Sequence, residues 1–364
     1  MTSKYFVSSA CALLALMIAG ASRADGDVYI LSNDAGANEV LVYQRNDRGE
    51  LRAAGSFATG GRGSGAGLGS QGAVVLSRDG ALLFAVDAGS DEVTSFRVEG
   101  DRLAIVSHLD SGGQHPISLT VHDDLLYVLN DGGNGNIAGF RVDEDGSLES
   151  LPNSSRPLSG TAVGPAQVAF APDGEHLVVT EKNTNRLSIY DVAESGYADG
   201  PTVSVSSGQT PFGFDFTSRG LLVVSEAFGG AAGAGAASSY AIRGDRTFAL
   251  SASVPERQGS PCWLVITRDG RTAFLANTGS GTVSAYAIGH DGRLTLLQAD
   301  GVAGSTGAGS GPADLALSRG SRYLYVRDGG TRSISAFRVG AGGSLEAIPG
   351  ASGLPARSVG IAVR

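Results

Sequence analysis

Apolar residues along this chain fall in short consecutive runs and not at helical spacing: LLFAV at 82–86, LLYVL at 125–129, LVVT at 177–180, LLVVS at 221–225 and YLYV at 323–326. Runs of this length, apolar on neighbouring positions, predict strands whose sheet is covered on both faces. Before several of them stands a turn, SRDG at 77–80, APDG at 171–174 or TRDG at 267–270. Asp-Gly between two apolar runs predicts a hairpin.

Each hairpin begins with a related segment: SQGAVVL (70–76), HPISLTV (115–121), GPAQVAF (164–170), TPFGFDF (210–216), SPCWLVI (260–266), GPADLAL (311–317) and RSVGIAV (357–363). Their second residues, Gln71, Pro116, Pro165, Pro211, Pro261, Pro312 and Ser358, are separated by 45, 49, 46, 50, 51 and 46 residues. That period predicts an all-β fold, a seven-bladed β-propeller of four-stranded blades. The third strand of each unit carries one aromatic (Tyr43, Phe96, Phe140, Tyr190, Tyr240, Tyr286 and Phe337), which predicts packing between blades. A more polar fourth strand follows in most units, such as LTLLQ from 294 and LEAI from 345. The first unit opens at VYILSN (28–33), which matches a second strand, so SVGIAV at 358–363 is expected to complete that blade and close the ring.

Ahead of the repeat, Lys4 precedes an apolar run over 7–19, and Ser22-Arg23-Ala24 offers small residues at a cleavage site. This is the pattern of a secretory signal over 1–24, leaving one propeller domain over 25–364 that is periplasmic or secreted. Cleavage removes Cys11 and leaves Cys262 without a disulfide partner. It also takes the formal charge from −9 to −11 by loss of Lys4 and Arg23. Nucleic acid and, for the mature chain, membranes are therefore not expected as partners. A monomer with a small-molecule ligand is expected instead.

Second strands end in Asn33, Asp87, Asn130, Glu181, Glu226, Asn277 and Asp328, so each blade is expected to deliver an amide or carboxylate to one mouth of the channel. Singly, such residues start turns by bonding to local backbone. Seven in register suggest a pocket with converging polar groups. Gln167, Cys262 and Trp263 are expected at the same mouth, with His115 as its histidine. An imidazole suits proton transfer near neutral pH, and Glu181 or Glu226 would orient it or act as base. The same histidine could equally be held by a loop carbonyl. Asp87, Glu181, Glu226 and Asp328 together also offer oxygen ligands to a divalent cation, although no cofactor is required. The glycine-rich GRGSGAG (61–67) lacks a following lysine and helix, so it does not read as a phosphate loop. FGGAAGAGAA (228–237) reads as a flexible insertion beside the mouth, placed to act as a lid.

The repeated starts, the SRDG, APDG and TRDG turns, and the segments LLFAVDAGSDEVTSFRV (82–98) and TAFLANTGSGTVSAYAI (272–288) resemble the seven-bladed lactonase-like propellers, relatives of 6-phosphogluconolactonase and carboxymuconate cyclase. The resemblance covers essentially the whole chain after the leader. It implies a histidine, arginines and a glutamate at the channel mouth, acting on carboxylated lactones. Glu181 stands where that glutamate is expected, whereas Ile117, Ala166 and Cys262 stand where basic residues would be looked for. Two readings follow: a lactone hydrolase or isomerase using His115 or Glu181 on water, with Asn130 or Asn277 at the carbonyl oxygen, and a non-catalytic propeller that binds a ligand or protein, with or without a cation.

Overall fold

The computed structural model describes Met1 and residues 24–364; most of the expected leader, with Lys4 and Cys11, lies outside the described residues. Seven antiparallel sheets follow one another along the chain. The first contains Ala24–Leu31, Glu39–Asn46 and Leu51–Ala58, together with the last strand, Val359–Val363. Blades two to seven occupy residues 74–110, 116–157, 165–205, 211–255, 261–305 and 312–352. In the third and sixth the outer edge is broken into two short pieces, both paired with the third strand. Short, interrupted edges present little unpaired backbone to another chain. Among the described residues no helix is long and apolar enough to cross a membrane.

First strands of successive blades touch one another round the ring, so they line the axis. Five of them start in one way. The residue before the proline, His115, Gly164, Thr210, Ser260 or Gly311, has φ between 54 and 60°. A bulge follows within the first few residues of each strand. The left-handed residue turns the chain inward, and the bulge increases the local twist that a strand at the axis needs.

The seven third-strand aromatics are buried between blades, as their spacing predicts. Tyrosine hydroxyls among them reach the preceding blade or its linker: Tyr190 donates to Pro157 O at 2.9 Å, Tyr286 donates to Val254 O at 2.7 Å, and Tyr240 accepts from Ser207 N at 2.8 Å. Each ring thus adds apolar burial to one satisfied polar contact.

Closure joins the chain ends as expected: Val28 pairs with Val363 and Tyr29 with Ala362. Beyond the ladder, Arg364 N donates to Asp27 O at 2.8 Å and its guanidinium to the Asp27 carboxylate at 2.6 Å.

Blade two departs from the repeat. Its first strand is only Val74–Leu76, because the preceding residues 69–72 leave the ring and cross the axis. Ser70 Oγ donates to Ile117 O (2.7 Å), Gln71 N to Ala166 O (3.0 Å), and Leu119 N to Gly72 O (2.8 Å). On the far side the Gln71 carboxamide pairs with both backbone groups of Leu264, at 2.7 and 3.0 Å, and Trp263 Nε1 donates to Ser70 O at 2.8 Å. Gln71 fits there because blade five has Gly213, on which a Cβ would lie 2.1 Å from Gln71 Oε1. The crossing divides the channel into an upper mouth, at the starts of the first strands, and a lower funnel.

Candidate functional site at the upper mouth

Six of the seven residues end the second strands as expected, Asn33 lies two residues past Leu31, and all seven are no more than 1% exposed. They differ in this from the accessible rim that the sequence suggests. Their side chains turn into the blade: Asp87, Asn130, Glu181 and Glu226 hold the linker arriving from the previous one, Asn33 holds the linker leaving its own blade, and Asn277 and Asp328 bond to the third strand. Asp87 accepts from Thr59 Oγ1 (2.5 Å), Thr94 Oγ1 (2.7 Å) and Asn38 Nδ2 (2.9 Å). Glu181 accepts from Ser159 N (3.0 Å), Ser188 (2.8 Å), Thr184 (3.0 Å) and the Ser159 hydroxyl. Glu226 accepts from Gly208 N (2.8 Å) and Ser238 (2.5 Å), and Asp328 from Ser335 (2.6 Å). The amides are bonded as well: Asn33 to Ser64 and Ala66, Asn130 to Ser111, and Asn277 to Thr282 and Ser284. Gln167, expected at the mouth, instead staples blades four and five through Phe214 N (2.8 Å) and O (3.0 Å). Among the described residues no group of three or more His, Cys, Asp or Glu is arranged to hold a metal ion.

The mouth is supplied by the neighbouring positions, because strand side chains alternate and one step along the chain changes the face. Thr180 and Ser225, one residue before the strand ends, donate to Phe212 O (2.5 Å) and Cys262 O (3.0 Å) on the next first strand. Asp131, Lys182 and Thr278 stand one residue after. Lys182 brings a basic group to this mouth, where Ile117, Ala166 and Cys262 offer none. Its Nζ donates to Gly69 O (2.6 Å) and Pro165 O (3.0 Å) and sits 4.9 Å from the Phe212 ring centroid. Burial lowers its pKa, against the attraction of Asp131 and of Cys262. Asp131 is raised by burial, with Lys182 and His115 both acting to lower it, so this carboxyl lies within electrostatic reach of both.

His115 reaches the mouth half-buried; its backbone N donates to Asp91 Oδ1 at 2.6 Å, and Asp131 N donates to its carbonyl at 3.0 Å. No hydrogen bond or ion pair among the described residues holds its imidazole, and none joins it to Glu181. Burial pushes the Cys262 thiol up to about 12, despite the Thr278 hydroxyl and Lys182, so it stays protonated and is a poor nucleophile. The insertion forms a turn at Phe228–Gly230, anchored by Gly229 N to Thr210 Oγ1 at 3.0 Å.

Across the ring, Arg327 is 7% exposed and its guanidinium forms no hydrogen bond among the described residues. Burial lowers its pKa, against Asp314 and Asp328. Its Nη1 lies 3.4 Å from where a Cβ on Gly329 would stand, beside the start of blade seven. Sequence reading missed Asp131, Lys182 and Arg327, although each is one residue from a strand end that it had placed.

A family model described as Lactonase, 7-bladed beta-propeller matches residues 28–158 and 224–311. No curated protein matches the chain. Among solved structures, the periplasmic gluconolactonase PpgL of Pseudomonas aeruginosa is 19% identical, with a TM-score of 0.72 over 92% of this chain and 98% of that one. A Lactobacillus plantarum protein is 16% identical (TM-score 0.73, 93% and 99% covered). A Bacteroides fragilis protein described as a candidate 6-phosphogluconolactonase is also 16% identical (TM-score 0.67, 93% and 98% covered).

Proposed function

This chain belongs to the seven-bladed β-propeller lactonase family, and from that premise we propose that it opens a small lactone, such as a sugar lactone, at the Lys182 mouth. The observation that carries this reading is the ammonium itself. It has three donors, of which carbonyls take two, and it is held in a partly desolvated place where a charge acts strongly. The third is available to a substrate carbonyl oxygen.

In this reading His115, with no bond on its ring, takes a proton from water as the oxygen attacks the carbonyl carbon, and Asp131 favours the imidazolium formed. When the ring C–O bond breaks, the proton passes to the leaving alkoxide. Glu181 acts as a positioning residue: its bonds to Ser159, Thr184 and Ser188 fix the backbone from which Lys182 projects. Arg327 offers a hydroxyl or carboxylate of the substrate a second anchor. Purified protein is expected to open at least one member of a panel of aldono-, uronic and acyl-homoserine lactones above the spontaneous rate. Lys182→Met should then lower kcat/KM at least tenfold, and Glu181→Gln should do so less. A panel opened only at the spontaneous rate would sink the hydrolase reading.

The apolar, fully buried Ile117 and Ala166 favour the second reading, a propeller that binds its ligand at this mouth without turnover. Saturable binding of an unopened lactone, lost in Lys182→Met, would establish it. We further read the protein as exported, supported by the pattern over 1–24 and by the periplasmic designation of the Pseudomonas relative. A mature N-terminus at Asp25, measured by mass spectrometry, is the expected result.

A further inference from the structure

Below the Gln71 crossing, on the side away from Lys182, the axis holds a cavity of about 370 Å³. Its walls are the ends of the first strands, among them Leu76, Val121, Leu317 and Val363, which are half-exposed, so the cavity is a funnel open at the lower face. Its inner end is formed by Gln71, Gln167 and Asp314. The volume is well above the roughly 150 Å³ that accommodates benzene in a protein interior.

The three polar groups at the inner end are not equivalent. Both glutamine carboxamides are satisfied, by Leu264 and by Phe214. Asp314 stands where Gln167 stands in its own blade, but a carboxyl is shorter and has no amide protons. Its Oδ1 accepts from Leu315 N at 2.9 Å, while Oδ2 is in no hydrogen bond of ordinary geometry, with only the Ile361 amide and the Arg327 charge near enough to favour its ionised form, and the residue is 2% exposed. Asp215, the other aspartate on a first strand, contrasts with it: its oxygens accept from Phe216 N at 2.7 Å and Ile266 N at 2.8 Å. An unmatched buried oxygen is costly, on the order of 1–3 kcal/mol, and a ligand donor would remove that cost.

We propose that the funnel binds a small alcohol, with its apolar body against the valine and leucine walls and its hydroxyl on Asp314 Oδ2. Burial pushes the Asp314 carboxyl up to about 7, against Arg327 and the Leu315 and Ile361 amides, so both protonation states occur near neutral pH. A hydroxyl suits both, because it donates to the carboxylate and accepts from the acid. The proposal does not rest on the lactone reading and its funnel opens on the opposite face, although Arg327 lies within electrostatic reach of Asp314.

Octan-1-ol is the probe, and 1-methoxyheptane, of the same length but without a donor, is its control. Calorimetry on the full chain should show saturable binding of the alcohol, one molecule per chain, with the ether at least tenfold weaker. The single tryptophan, Trp263, bonded to the crossing segment, should report the same event by its emission. Ala169→Phe fills the funnel and Leu76→Arg charges its rim; with melting unchanged, either should abolish binding. Asp314→Ala should reduce the alcohol to the affinity of the ether. Absence of saturable alcohol binding, equal affinity for alcohol and ether, or full binding by folded Leu76→Arg would each overturn the proposal. Should Asp314→Ala fail to fold, the comparison of alcohol and ether on the unaltered protein still decides.

Discussion

At the start of each proline-led first strand one residue is held at positive φ, and only two of the five are glycine. Holding any other residue there costs roughly 1 kcal/mol or more, because Cβ crowds the backbone. His115 therefore occupies a turn position that Gly164 and Gly311 fill at no such cost, and the turn does not require an imidazole. His115→Gly is predicted to keep the thermal midpoint or raise it, with a change within about 1 kcal/mol after the extra flexibility of the unfolded glycine chain is counted. If the imidazole moves a proton at the mouth, the same variant loses lactone opening while remaining folded. A large drop in melting temperature would instead show that the ring is a packing element.

Between strands, the unit that recurs is a hairpin in which the last residue of the second strand bonds to a hydroxyl seven positions later: Asp87 with Thr94, Glu181 with Ser188, Asn277 with Ser284 and Asp328 with Ser335. The two lie diagonally on one face of the ladder, within reach of short side chains. Thr94→Val is predicted to destabilise by about 1–3 kcal/mol, since it leaves a buried Asp87 oxygen short of a partner; a denaturant midpoint unchanged from the parent would contradict this. Gly213→Ala should cost at least as much, because its Cβ would meet the Gln71 carboxamide and the backbone of Cys262 and Trp263. This level also shows how far the sequence could be read. Period, strand order and the borrowed last strand were legible because apolar runs and Asp-Gly turns repeat. The parity of the strand ends was not: a side chain's face depends on a bulge and on the path of the next linker, so Glu181 was legible as a position while the neighbouring Lys182, which faces the mouth, was passed over. The hydroxyls seven residues on were a visible signal for burial. The crossing of Gln71 had no such signal, because its partners lie 193 positions away.

The ring as a whole is held by its last strand and by many polar groups kept from water, and both have consequences that concern the entire molecule. Removal of residues 357–364 takes away the strand paired with the first blade and the Arg364–Asp27 ion pair, and is predicted to abolish cooperative unfolding as seen by calorimetry. The second consequence is a dependence on pH. Burial raises the carboxyls of Glu256 to about 8, Asp314 to about 7, and Asp215 and Asp328 to about 6. Glu256 is the extreme case, with only the Ser284 hydroxyl close enough to favour its charged form and neither oxygen in a hydrogen bond of ordinary geometry. For each of these groups the folded state holds its proton more tightly than the unfolded chain, so the folded state binds more protons between the two pKa values, and stability falls as pH rises through that window. Asp79 and Asp145 are displaced the other way, by Ser77 and Ser147, and act only below their ordinary acid range. The protein is therefore predicted to be most stable in mild acid and to lose stability steadily from about pH 5 to about pH 8, each tenfold difference in proton affinity being worth about 1.4 kcal/mol. Glu256→Gln keeps the shape without the ionisation, and should flatten the upper part of that profile and raise the melting temperature at about pH 8. A profile that is level or rises over this range would show that these carboxyls are charged inside the folded ring, and that water or an ion reaches them.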